Sequence, residues 1–122
     1  MKKLLTALIF TLATSVWAGD FDNGVAATAK GDFTTAASFF RKAAERGMPE
    51  AQVKLGFYYA FGMGVSKDFL QAHMWMNLAA VSGDKGAPKA RDTIVAKMTS
   101  QQITKAQAMA KKCLANNYKD CE

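Results

Sequence analysis

The chain has 122 residues, a formal net charge of +6, and is 50% hydrophobic and 21% charged, with 9 Gly and 2 Pro. That length and composition indicate one globular domain and exclude a disordered or collagen-like chain. One His and two Cys are too few for a structural zinc site of four N/S donors or for a disulfide-dense scaffold.

The first segment reads as an address. Lys2 and Lys3 precede an uncharged run from Leu4 to Gly19, strongly apolar from Leu4 to Phe10 and followed by Val16, Trp17 and Ala18. This pattern predicts a secretory signal peptide over residues 1–18, cleaved after Ala18. The competing reading, an uncleaved anchor, needs roughly 20 apolar residues. Cleavage leaves residues 19–122 with a charge of +4, and places the protein in the periplasm or outside the cell.

The remainder repeats itself. A shift of 36 residues lays 32–51 on 68–87 and matches Asp32 with Asp68, Phe33 with Phe69, Ala36 with Ala72, Ala43 and Ala44 with Ala79 and Ala80, Gly47 with Gly83, and Ala51 with Ala87. Each copy reads as a helix. Positions 69, 72, 75, 76, 79 and 80 are apolar at the spacing of one helical face. Asp68 stands at the N-cap with Gln71 three later, as in a capping box, and Gly83 stands where a helix stops. Asp32 and Gly47 punctuate the first copy in the same way, and Pro49 opens the next helix.

Between the copies, Val53, Leu55, Phe57, Tyr58, Tyr59 and Phe61 precede Gly62-Met63-Gly64. The broad apolar character predicts a helix over 50–61 buried on more than one side. A strand is the competing reading; length and the glycine-bounded end favour the helix. Further on, 87–98 reads as one helix, Thr99 to Gln102 as a capping-box start, and Ile103, Ala106, Met109, Ala110, Cys113 and Leu114 as one face of a last helix. The expectation is an all-α chain: an α–α superhelix, or solenoid, of about three helical hairpins over about 20–47, 50–83 and 87–116, with a tail over 117–122.

Cys113 and Cys121 are eight positions apart. On a continuous helix that spacing is about 12 Å, and a disulfide needs Cα atoms within about 7 Å. A bridge therefore requires the helix to end between them, and Asn116-Asn117 is a suitable stop. In an oxidising compartment the pair is expected to form a structural staple. A redox-active pair is the alternative, without the C-x-x-C spacing.

The run from Leu55 through Gly56, Tyr59, Gly62, Gly64 and Asp68, continuing to Ala72, Trp75, Ala79, Ala80 and Gly83, resembles the Sel-one-like repeat (SLR), a short helical hairpin related to the tetratricopeptide repeat. The resemblance is strong over 51–87. It is partial over 20–50, where the first helix lacks the Leu-Gly and Gly-x-Gly elements, and weaker over 88–122. The cysteine spacing is similar to that of Cys-rich secreted SLR proteins, although the first two hairpins carry Ala at that site. The resemblance implies a solenoid whose groove binds proteins or peptides, with Leu55 and Tyr59 packing between hairpins. A few secreted relatives are associated with penicillin-like or cell-wall ligands.

Residue chemistry points away from catalysis. Gly62-Met63-Gly64 lacks the third glycine and the preceding strand of a phosphate loop, so it reads as a turn. His73 has no Ser, Cys, Asp or Glu three or four residues away and reads as an ordinary flank residue. No metal, cofactor or catalytic residue is expected. Lys54, Tyr58 and Phe61 share a helix face at i, i+4, i+7, and the 36-residue shift brings Asp22 and Val25, then Ile94 and Lys97, into register with Tyr58 and Phe61. With Phe57, that stripe is the expected partner-binding surface: Lys54, Phe57, Tyr58, Phe61, Ile94 and Lys97. Burial of the same aromatics in the core is the competing reading. Residues 19–84 carry a charge of −1 and residues 85–122 a charge of +5, a basic end able to steer an acidic partner or touch anionic lipid, or simply a solvated face. Basic residues are not interleaved with stacking aromatics, so no nucleic-acid partner is expected. The expected function is an exported adaptor that binds a protein or peptide in its groove. The alternatives are a binder of cell-wall fragments or β-lactams with at most weak hydrolase activity, or an inhibitor of a secreted enzyme.

Overall fold

A computed structural model describes residues 19–122, which among themselves are all-helical; the expected signal peptide lies outside the described residues. Helix α1 is seen over 19–29. It is followed by α2 (Phe33–Glu45), α3 (Pro49–Phe61), α4 (Phe69–Val81), α5 (Ala87–Val95) and α6 (Ser100–Ala115). Taken two by two, the helices follow the order of three helical hairpins in a short solenoid, but the third departs from the expected pairing, because α6 packs mainly on α4.

The helix ends follow the chemistry of their residues. Asp32 and Asp68 each accept a hydrogen bond from the backbone N–H three residues on, at Thr35 and Gln71. Thr99 and Gln102 form a complete capping box, with both reciprocal bonds present. At Asp68 the returning bond from the Gln71 side chain is missing, since its Oε1 is buried without a partner. Pro49 occupies the first turn of α3, and Gly62 closes α3 in the left-handed conformation with φ 66°.

Helix α4 is the centre of the molecule, packed against α3, α5 and α6. Gln71 to Met76 are all buried, so this helix is enclosed on nearly every side and not on the single face that its periodicity suggests. His73 is accordingly not a flank residue but a core one, 2% exposed. The larger core cluster surrounds Trp75 and includes Ala43, Ala44, Leu55, Tyr59, Met74 and Met76. A smaller cluster of Ala27, Ala36, Ala37, Phe40 and Tyr58 joins α1 and α2 to α3. Aromatic side chains bury roughly 150–250 Å² each, so Trp75 and Phe40, each 1% exposed or less, dominate these clusters.

Glycines set how closely the helices approach. A Cβ on Gly56 would lie 2.8 Å from Met76 Cγ, so α3 meets α4 through a missing side chain. The first repeat has no glycine at the corresponding position, 20; Gly24, one helical turn later, does the same work against Phe40, where a Cβ would lie 2.7 Å from the ring.

Helix α5 ends at Val95, three residues short of the expected limit at Met98. Lys97 and Met98 donate instead to the carbonyls of Ile94 and Val95, a tighter i to i+3 turn. That turn brings Met98 against the main core. Helix α6 stops at Ala115, and Asn117 takes the left-handed conformation with φ 55°. The chain reverses there, and Cys113 and Cys121 form a disulfide with their Cα atoms 4.8 Å apart.

Candidate functional site

One face of α3 stays open. Glu50, Lys54, Phe57 and Phe61 are its exposed positions, spaced i, i+4, i+7, i+11, which is one continuous helical stripe. Phe57 and Phe61 lie nearly parallel, ring centroids 6.2 Å apart and interplanar angle 12°, and Phe61 is 69% exposed. Val25 and Ala29 of α1 line with them a largely apolar cleft of about 510 Å³, to which Met63 also contributes.

Tyr58 forms the floor of this cleft and not its rim. It is 4% exposed, stands edge-on to Phe40 with centroids 5.4 Å apart, and shares a hydrogen bond with the hydroxyl of Thr28. Thr28 in turn donates to the Gly24 carbonyl at 2.9 Å, so the paired hydroxyls of the floor are anchored to α1. Phe33 also meets the Tyr58 ring edge-on.

The expected stripe is therefore corrected at two positions. Tyr58 and Ile94, which the 36-residue shift equates, are both turned into the core; Ile94 is 5% exposed and belongs to the Trp75 cluster. Phe57 and its equivalent Thr93 take the surface instead. The open stripe of α3, carried forward by 36 residues, reaches Gly86, Ala90, Thr93 and Lys97. Gly86, Ala90 and Thr93, with Lys89, line a second concavity of about 280 Å³ on the other side of Phe57. Lys97 is exposed but lies beyond the end of α5 and lines neither cavity. Lys54 stands on the rim of the larger cleft. The groove thus consists of two apolar depressions divided by the Phe57 ridge, with Lys54 and Lys89 beside them.

A further depression of about 350 Å³ lies on the opposite helices, between α4 and α6. Val81 and Leu114, 63% and 41% exposed, border it. The sequence reading missed it: Val81 lies outside the apolar face read for its helix, and Leu114 was read as part of the single face of the last helix.

The arrangement offers shape and apolar contact. Among the described residues no group of three His, Cys, Asp or Glu side chains could hold a metal ion, and no helix is long and apolar enough to cross a membrane. His73 is enclosed in the core, where burial and then the Arg91 charge pull its imidazole below its ordinary range. Gly62-Met63-Gly64 is a turn: Gly62 and Gly64 have φ 66° and 68°, and a Cβ on Gly64 would sit 2.2 Å from the Phe33 carbonyl oxygen.

A family model described as Sel1 repeat matches residues 21–48 and 49–84. The chain belongs to the Sel1 repeat family. The two matched repeats are the α1–α2 and α3–α4 hairpins; beyond them α5 packs on α4, and α6 also packs on α4. The fold is similar to that of c5321, a protective antigen of uropathogenic Escherichia coli displaying an SLR fold. The TM-score is 0.78 and the identity 31%, over 86% of this chain and 24% of that one. The chain is also 44% identical over 52 residues to Uncharacterized protein NMB1327 of Neisseria meningitidis serogroup B, covering 43% of this chain and 11% of that one. It spans about a quarter or less of the length of each. Within the family pattern, Leu55, Ala72, Trp75 and Ala79 are completely buried. Gly56, Gly62 and Gly64 occupy the close approach and the turn, and Gly83 has φ 94° after α4. Ala80 is half-buried. Tyr59 packs in the main core with its hydroxyl at the edge.

Proposed function

We propose that this Sel1-repeat chain is an exported adaptor that holds a protein or peptide partner in the α1–α3–α5 groove and carries out no chemistry on it. The observation that supports this most is the stacked Phe57–Phe61 pair. Two large apolar rings are left in water beside an apolar cleft, although the same helix buries Leu55, Tyr58 and Tyr59. Exposed aromatics beside a preformed depression are the usual anchors of an interface. The fixed floor of Tyr58, Phe40 and Thr28 limits the reorganisation that binding would require. Lys54 and Lys89, and the basic balance of residues 85–122, favour a partner with acidic residues near its apolar anchors. Export rests on the pattern of residues 1–18, and likeness to an E. coli antigen is in keeping with it.

The test is selection of peptides from a displayed library against the oxidised chain. Peptides with two bulky apolar residues and a neighbouring acidic one are expected, and Phe57→Ala with Phe61→Ala should weaken their capture at least tenfold while Val81→Ser leaves it unchanged. Equal capture by all three chains would remove the groove assignment. Muropeptides and a chromogenic β-lactam run alongside should show neither saturable binding nor turnover; either would move the function to the cell-wall or β-lactam class.

A further inference from the structure

In a solenoid each repeat touches only its neighbours. The C-terminal segment of this chain departs from that rule. Residues 117–122 run back from the end of α6, in the third hairpin, to the first hairpin. The Tyr118 ring lies against Gly47, where a Cβ would be 3.1 Å from Cε2, and its hydroxyl is 3.4 Å from Ser82 Oγ. Beyond it, Glu122 Oε1 accepts from the Tyr59 hydroxyl at 2.6 Å and stands 3.0 Å from Nε of Arg41 on α2. Arg41 Nη2 closes the triangle by donating to the Tyr59 hydroxyl at 2.8 Å. The segment is thus fixed at its far end to the first two hairpins and at its near end, through Cys121, to α6.

Its backbone does not favour this path on its own. Asn117, Tyr118 and Asp120 all have positive φ, at 55°, 64° and 55°. Such conformations in non-glycine residues persist where the surroundings over-determine them. The constraints here are the disulfide, the Tyr118 N–H bond to the Cys113 carbonyl at 2.9 Å, the Tyr118 packing and the Glu122 anchor. Cys113 is 1% exposed and Cys121 is only partly buried, so Cys121 is the more accessible partner of the bridge.

We propose that residues 117–122 are a disulfide-closed brace that holds the first hairpin against the rest of the solenoid, and that a dithiol reductant opens it. In that step one thiolate of the reductant attacks Cys121 Sγ and the Cys113–Cys121 bond breaks. The second thiol then resolves the mixed disulfide. Cys113 and Cys121 end as thiols, and the reductant leaves as its own disulfide. The relaxed segment releases Tyr118 from Gly47 and Glu122 from Arg41 and Tyr59, so the first hairpin loses its contact with the third. The proposal does not depend on what fills the groove.

Hydrogen exchange of the full chain, oxidised and reduced, tests it, because exchange reports local opening element by element. Reduction is expected to speed amide exchange at least tenfold in α2, about 70 residues away in sequence, as well as in the last turn of α6. Exchange in α5 should change by less than threefold. The Cys113→Ser/Cys121→Ser chain should behave like the reduced one. Oxidised Glu122→Gln, which keeps the bridge and weakens only the far anchor, should accelerate α2 without accelerating the last turn of α6. Faster exchange confined to residues after about 110, or no acceleration of α2 in either the reduced chain or Glu122→Gln, would overturn the brace and leave the disulfide as a local staple of the α6 end.

Discussion

Gly64→Ala isolates the contact on which the joint between the first two repeats depends. Two costs apply at Gly64. Its φ of 68° lies in the left-handed region, which costs an L-residue about 1–2 kcal/mol. A Cβ there would also lie 2.2 Å from the Phe33 carbonyl oxygen, 2.3 Å from its carbon and 2.6 Å from the Thr34 nitrogen. Those atoms belong to the first turn of α2, which cannot swing aside as a side chain can, and overpacking adds about 1–3 kcal/mol. The total is about 2–5 kcal/mol, a large share of the 5–15 kcal/mol of a typical domain. Gly31→Ala is the matched control, since Gly31 has φ 75° and nothing within 4 Å of its Cβ position; it should cost about 1–2 kcal/mol. Urea unfolding followed by far-UV circular dichroism measures both. If the two variants fall within about 0.5 kcal/mol of each other, the usual error of comparing independent sites, the reasoning from backbone contact is wrong.

The other predictions concern the core, the buried imidazole and the groove. Trp75→Ala should cost about 3–5 kcal/mol, because Trp75 is completely buried at the centre of the main cluster; a loss below about 1.5 kcal/mol would show that the site collapses freely. Burial, then the Arg91 charge, lowers the proton affinity of folded His73, so the unfolded chain protonates first as pH falls below about 6.5. Stability should therefore decline from that pH downward until the folded group also protonates, by at most about 1.4 kcal/mol per pH unit, and His73→Phe should lose this slope; identical slopes would contradict the assignment. Phe61→Ala should change stability by no more than about 0.5 kcal/mol, as for other exposed positions, while weakening peptide capture; a large loss of stability would make Phe61 a structural residue.

The architecture was legible because its signals are local. The paired Asp caps, the glycine stops and the 36-residue match of alanines each act within one or two turns, and all are realised in the helices. The disulfide was legible for a similar reason, since two cysteines eight residues apart meet only across a helix end, and the left-handed Asn117 supplies one. The groove was harder. Tyr58 and Ile94, expected on the stripe with burial in the core as the competing reading, lie in the core. At 3.6 residues per turn, Lys54 has two neighbours one turn on, Phe57 and Tyr58. Both are aromatic, so hydrophobicity does not choose between them. Tertiary contact decides: Tyr58 has Phe40 and Thr28 to meet on α2 and α1, and Phe57 stacks on Phe61 at the surface. His73 was misplaced because α4 is enclosed by three helices, a fact about neighbours that its own sequence does not carry. The brace was invisible for the same reason. Nothing near Glu122 in sequence indicates that Arg41 and Tyr59 will stand beside it.

The groove is tested most directly by chemical-shift mapping of the oxidised chain titrated with a library-selected peptide. Binding in the groove predicts that the amide shifts concentrate at Val25, Lys54, Phe57 and Phe61, extend to Ala90 and Thr93, and vanish in the Phe57→Ala/Phe61→Ala chain. Shifts centred on Val81 and Leu114, or scattered shifts that survive the double substitution, would contradict it.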